Sequence, residues 1–318
     1  DERLDRLAAL FNPKKTTHAE VRLHDLPGLI GAKGELSGAS ASTIAQTDAI
    51  IHVVRAFDRP DVPHPQGSID PHRDIEAMDL ELTYYDLAVL ERRLDKLNTI
   101  VRSARPAERD AGQKEQALLL RAKKVLEAGQ ALRGRITAPE DLKGLANFGL
   151  VTLKPLLLLV SLDESDAARI KEIEAEYGQR YAGLQTAVSA ICGRLEAELT
   201  ELPPEDADSF RQELGLAEPA APRILALAPQ LLGLITFFTV GEDECRAWQV
   251  RQGATAQEAA GKIHSDLQRG FIRAETIEWD KLLELGSLPE ARKHGLLRSE
   301  GKSYEVKDGD IMHVLFQV

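Results

Sequence analysis

The sequence predicts an α/β protein with a parallel-sheet domain, an antiparallel helical hairpin inserted into it, and a small α+β module at the carboxyl end. Three observations carry this. Short β-branched or wholly apolar runs at 50–54 and 156–160 lie between helical patterns, as buried parallel strands do. Leucines between 87 and 101 recur at steps of three and four, and a second such stripe follows. Past residue 233, strand-like runs surround one helical pattern.

Taken in order, residues 21–24 alternate apolar and polar and meet Asp25-Leu26-Pro27-Gly28, which reads as a strand entering a tight turn. The run Ile50-Ile51-His52-Val53-Val54 reads as a second strand. Asp70 can cap a helix and Pro71 suits its first turn. Leu87, Leu90, Leu94, Leu97 and Val101 form one seam; Leu118, Ala122, Val125 and Leu132 form another, with Gly129 at its weak position. The polar stretch 103–113 is read as the connection between them. A two-helix seam has no other core, so the hairpin is expected to project from the sheet domain. The run 156–160, behind Lys154-Pro155, is too short for a helix and reads as a buried parallel strand. An acidic helical stretch follows, then a short strand at Val188-Ser189-Ala190. Residues 202–222, rich in Pro, Glu, Asp and Ala, read as a connector with one short helix. Beyond it, 235–240, 246–250, 304–306 and 311–318 read as strands and 255–267 as a helix, a module of the β-grasp kind.

Bulk properties narrow the function. The 318 residues carry a net charge of −11 and a pI near 5.3. Such a chain does not hold nucleic acid through net charge, so RNA contact needs a local basic surface, and nothing marks a reader of DNA sequence. Cys192 and Cys245 stand far apart and make neither a zinc spacing nor a disulfide framework, which fits a reducing, cytoplasmic setting. The longest strongly apolar run is far too short to cross a bilayer, so no membrane association is expected. The first residues are charged and give no signal peptide.

Asp25-Leu26-Pro27-Gly28 fits the D-x-x-G pattern at a strand end. In P-loop NTPases such an aspartate helps hold Mg²⁺, and the glycine lets its N–H approach the γ-phosphate. Gly31, Gly34 and Gly38 follow, which suits a loop that moves when that phosphate is lost; the plain alternative is a flexible surface loop. A phosphate-binding G-x-x-x-x-G-K-[ST] string does not occur. Gly301-Lys302-Ser303 ends correctly, but the nearest upstream glycine, Gly295, is one residue too far, and no helix is predicted after it. His52, His64, Asp70, His72 and Asp74 match no metal-ligand spacing.

The chain resembles the YchF family of Obg-like ATPases. The resemblance rests on residues 25–38, on Thr47-Asp48-Ala49-Ile50-Ile51-His52-Val53-Val54-Arg55, on Ile69-Asp70-Pro71-His72-Arg73-Asp74-Ile75-Glu76 and on Thr152-Leu153-Lys154-Pro155. It continues through Arg246-Ala247-Trp248, Gly270-Phe271-Ile272-Arg273-Ala274-Glu275 and Asp308-Gly309-Asp310, which are similar to the family's TGS domain. It implies a partial P-loop NTPase domain at 1–75 and 146–232, a helical insertion at 76–145 and a TGS domain at 233–318. The phosphate loop would then lie before Asp1, so the chain as given is expected to be inactive. ATP, or GTP, would be the substrate and Mg²⁺ the cofactor, and the resemblance implies a ribosome or RNA as partner.

Residue by residue, the resemblance assigns Asp25 to Mg²⁺ through water and Gly28 to the γ-phosphate. Leu29 stands where many GTPases place a catalytic glutamine, and it cannot orient water. No catalytic residue is therefore named. Ser161-Leu162-Asp163-Glu164 resembles the family's N-x-x-E base motif, with Ser161 in place of asparagine, Leu162 as apolar base contact and Glu164 reading the base. The alternative is that this turn only caps a helix. Ser189 and Ala190 resemble the last base-side motif, after which Ile191-Cys192-Gly193 departs from the family's pattern. For RNA, the basic residues of the hairpin, among them Arg121, Lys123 and Lys124, and Arg246, Lys262 and Arg273 of the last module are the candidates; a solvated helix face is the alternative. A non-catalytic interaction module with a decayed nucleotide site is the competing reading.

Overall fold

The chain begins with α1 (Glu2–Phe11), capped by the Asp1 side chain, and β1 (Lys15–Thr17). The computed structural model describes residues 1–26, 38–103, 105–216 and 218–317, without the side chains of 102 and 103. Residues 18–26 are neither helix nor strand, so the strand expected at 21–24 is not there. Alternation makes a strand only where a ladder partner exists, and Val21 and Leu23 stay exposed.

The first unit spans residues 24–227. In it come α2 (Gly38–Gln46), β2 (Ile50–Arg55), α3 (Pro71–Ser103), α4 (Pro106–Glu127) and α5 (Pro139–Leu145). Asp70 caps α3 as expected, its Oδ1 accepting from Arg73 N at 3.1 Å, with Pro71 at the first position. At 33 residues α3 is about 50 Å long. The second helix resumes at Pro106, not past 113 as the polarity suggested, because proline starts helices well and helix formers follow. Near this turn Gly112 lets the helices close; a Cβ there would sit 2.8 Å from Val101. The seam also differs. On α4 the fully buried residues are Leu119, Ala122 and Leu126, while Leu118 and Val125 are only partly buried. The hairpin does have further core: Leu132, Ile136, Leu145 and Leu150 complete the cluster, and Leu118 abuts Gly144 of α5.

Then follow β3 (Leu156–Ser161), α6 (Ile170–Tyr181), β4 (Thr186–Ile191), α7 (Gly193–Thr200) and α8 (Pro204–Glu213). The strands β2, β3 and β4 form a parallel sheet in that order, with β3 buried throughout its apolar run. Val54, Leu158, Val160 and Ala190 pack against Ile173 and Tyr177 of α6 and Leu195 of α7. The last helix to start in this unit is α9 (Ala220–Leu232), so the connector of the sequence reading holds one helix and the first turn of another.

The second unit joins residues 1–23 to 228–318. It contains β5 (Leu234–Thr239), β6 (Glu244–Arg251), α10 (Ala256–Ile263), α11 (Ser265–Arg269), β7 (Phe271–Glu278), α12 (Trp279–Leu285), α13 (Leu288–Lys293), β8 (Arg298–Glu300) and β9 (Asp310–Phe316). The sheet order is β1-β6-β5-β9-β7-β8. The first residues therefore belong with the carboxyl-terminal module, not with the nucleotide-binding part as the sequence boundaries had them. Leu4 and Leu7 of α1 are fully buried with Phe238, Ile277 and Leu282. The helix expected at 255–267 breaks at His264, whose extended backbone ends α10 and caps α11. Residues 304–306 make no strand, only a bridge from Glu305 to Thr255. Among the described residues no helix is long and apolar enough to cross a membrane.

Candidate functional site

Parallel strands end together, and ligands of open α/β sheets bind beyond their carboxyl ends. Here those ends are Arg55, Ser161 and Ile191. The chain continuing from each is tied to its neighbour. Ala56 N donates to Ser161 O at 2.8 Å, Leu162 N donates to Ile191 O at 2.8 Å, and Cys192 Sγ lies 3.2 Å from Asp163 O. A Cβ on Gly193 would come 3.9 Å from Ser161 Oγ. The turn after β3 and the turn after β4 thus form one continuous rim.

Within that rim Asp163 caps a short 3₁₀ turn, accepting from Ser165 N at 3.1 Å and Ser165 Oγ at 3.0 Å. These bonds hold its carboxyl below the usual range, with Arg59 and Arg194 adding to the effect. Glu164 is exposed. Leu162 is buried in the core with Val160, Ala190 and Cys192, so it does not present an apolar surface to a ligand as expected. Ser161 is half-buried. The rim therefore offers a carboxylate, which accepts from the donors of a heterocycle, and a hydroxyl, which can donate or accept.

Ser189 and Ala190 are placed elsewhere. Both lie inside β4, short of its end, and their polar groups are taken. Ser189 Oγ and Ala190 N both donate to Glu174 Oε1 at 2.8 Å, and Arg223 donates to Ser189 Oγ at 2.9 Å and to Ala190 O at 2.6 Å. No N–H at Ala190 is left for a base. Cys192 and Gly193 form the turn that leaves the strand end. Burial, with acidic neighbours, pushes the Cys192 thiol up to about 11, so it stays protonated. Counting the strand to its last residue would have found this turn; Glu174 and Arg223 left no local signal. Asp25 is exposed, and Gly28 and Leu29 lie outside the described residues.

The basic candidates do not form one patch. Arg121 is paired with Asp141 at 2.6 Å and Lys123 with Glu91 at 2.8 Å, while Lys124 is exposed. Strand alternation puts Arg246 with Trp248 on the face covered by α10, its guanidinium 4.0 Å from the indole centroid. Arg273 shares the opposite face with Ile277. Lys262 is exposed on α10.

The entry to β3 is held by a second polar group that the sequence did not reveal. Asp86, fully buried on α3, accepts from Val151 N at 2.9 Å, Thr152 N at 2.8 Å and Thr152 Oγ1 at 2.5 Å. Burial still raises its pKa to about 6. Arg133 donates Nε to Lys154 O at 3.0 Å nearby.

Residues 234–317 match a family model described as YchF-GTPase_C, protein of unknown function (DUF933). The chain is 38% identical to the ribosome-binding ATPase YchF of Bacillus subtilis, over all of this chain and 87% of that one. It is 36% identical to the Obg-like ATPase 1 of Oryza sativa, over all of this chain and 81% of the relative. The solved structure of the Schizosaccharomyces pombe YchF GTPase superposes with a TM-score of 0.82 at 28% identity, over 99% of this chain and 85% of that one.

Proposed function

The chain belongs to the YchF family, and from that premise we propose that it is a ribosome-associated nucleotide-binding protein whose base site is the rim joining Ser161–Glu164 to Cys192 and Gly193. The observation that supports this most is the tie between the two turns at the carboxyl ends of β3 and β4, beside the exposed Glu164. The substrate is ATP in preference to GTP. Glu164 stands where GTPases carry the aspartate that reads the guanine edge, as in the family's N-x-x-E motif, and Ser161 gives one tether fewer than an asparagine, so the preference is modest. Ribosome binding is what the names of the bacterial relatives state, and we carry it to this chain along with a cytoplasmic place. The second unit is read as a TGS domain.

Mg²⁺ fits the chemistry of Asp25. Asp25 is an exposed, hard oxygen donor that would hold the ion through water, and the ion would neutralise phosphate charge. The sequence holds no G-x-x-x-x-G-K-[ST] string, so this chain by itself is assigned binding without turnover.

The test is a titration of the isotope-labelled chain with ATP and with GTP, read at the amides of Ser161, Glu164, Cys192 and Gly193. ATP is expected to shift all four at lower concentration than GTP, and Glu164→Ala to abolish the difference. Shifts confined to other residues, or tighter GTP binding, overturn the reading.

A further inference from the structure

We propose that Arg223 is a positioning residue for the base end of this site, acting through the outer edge of β4; the proposal rests on the function assigned above. Among the described residues β4 is an edge strand, paired only with β3. Ile191 turns its carbonyl inward to Leu162 N. Successive residues of a strand turn their backbone groups to alternate sides, so Ala190 points both N–H and C=O outward. Such an edge costs free energy if buried unpaired and invites foreign strands if left open.

Two side chains close it. Glu174 on α6 accepts the Ala190 N–H at 2.8 Å, and Arg223 on α9 donates Nη2 to the Ala190 carbonyl at 2.6 Å. Arg223 Nη1 also meets Glu174 Oε1 directly, and both residues hold Ser189 Oγ. The pair supplies one acceptor and one donor to a single residue, which is what a neighbouring strand would supply. Both side chains are about three-quarters covered, at 22% and 24% exposure, so the interaction is not simply a solvated surface pair. The planar guanidinium reaches three acceptors at once, which a lysine ammonium on a flexible stem does not reproduce.

The residue after Ala190 is the last of β4, and Cys192 and Gly193 follow it into α7. Where Ala190 is pinned sets the height of that turn against Ser161–Glu164. Arg223 touches no ligand; it fixes a turn that does.

The test compares the 318-residue chain with its Arg223→Gln and Arg223→Lys variants. Hydrogen exchange at Ala190, Ile191, Cys192 and Gly193, with the β3 amides as the control for the fold, is read beside ATP and GTP binding. In Arg223→Gln exchange at these four amides is expected to rise about tenfold and ATP affinity to fall about tenfold, the loss of one charge-assisted bond. Exchange at the β3 amides stays unchanged, and Arg223→Lys regains only part of the ATP affinity. Unchanged exchange at Ile191–Gly193 in both variants overturns the proposal. So does an equal rise in exchange at the β3 amides, which would mark a merely structural role. If the parent binds no nucleotide at this rim, the assigned function and the claim about the base fall together; the exchange data still decide whether Arg223 fixes the turn.

Discussion

The two sheets of this protein meet the same demand in opposite ways. Each has backbone groups that must find partners outside its central strands. In the six-stranded sheet the chain supplies more chain: β1 lies beside β6, and β8 beside β7. In the three-stranded sheet side chains do it, with Glu174 and Arg223 on the edge of β4 and Asp86 on the residues leading into β3. A strand laid on an edge stops there, whereas a side chain can fix one backbone group and leave the strand end open to a ligand. The sheet that carries the candidate site is the one held by side chains.

The strongest test of this contrast is Asp86→Ala. It strips the acceptor from three buried donors at Val151 and Thr152, and a loss of about 4 kcal/mol is expected in the first unit. Hydrogen exchange of the β3 amides measures it; a loss confined to the second unit would break the comparison. Next is Leu7→Ala, which empties a fully buried position between α1 and the six-stranded sheet. It should cost about 3 kcal/mol, read at the β5 and β6 amides, with β3 unaffected. Equal effects in both units would mean that residues 1–23 do not belong to the second.

The side-chain solution also brings pH dependence. Asp86 has a folded pKa raised to about 6 by burial, so its contribution is full below pH 4 and is lost as pH rises through 6. His52 on β2 is lowered to about 4, chiefly by burial, so its contribution is full above pH 6.5 and is lost as pH falls through 4. The two slopes oppose each other. His52→Gln is expected to unmask the fall between pH 4 and 6, on the order of 2 kcal/mol, in exchange of the β3 amides. A variant that tracks its parent across that range would remove His52 from the account.

The smallest effect is expected at the hairpin. Replacing Arg121, Lys123 and Lys124 with glutamate breaks three ion pairs at the surface, Arg121 with Asp141 and Lys123 with Glu91 and Glu127, and frees no basic patch. Ribosome binding should weaken by about threefold at low salt, with circular dichroism unchanged. A loss of a hundredfold would restore the hairpin as a principal RNA surface, whereas no change leaves Lys262 and the Arg246–Trp248 stack as the surface to probe.

The strands at 50–55 and 156–161 and the start of α3 could be read directly, because their signals are local: a β-branched run, an unbroken apolar run, and Asp70 before Pro71. The family was legible for the same reason, as short strings in a fixed order. Three things were not local. Residues 21–24 alternate like a strand but find no partner among the described residues, and pairing is a property of two segments. The first helix buries Leu4 and Leu7 against strands more than two hundred residues away, which no window over 1–23 displays. Ser189 and Ala190 resemble the family's last base-side motif, and the register with β3 showed that the strand runs on to Ile191. The amino-acid order by itself determined which segments could be helix or strand and which family they resemble. The tertiary structure decided which backbone groups were left over, and therefore that Glu174 from one helix and Arg223 from another should meet on a single residue of β4. A hydrogen-bond donor is specified by its residue type, but its partner is specified only by position in space.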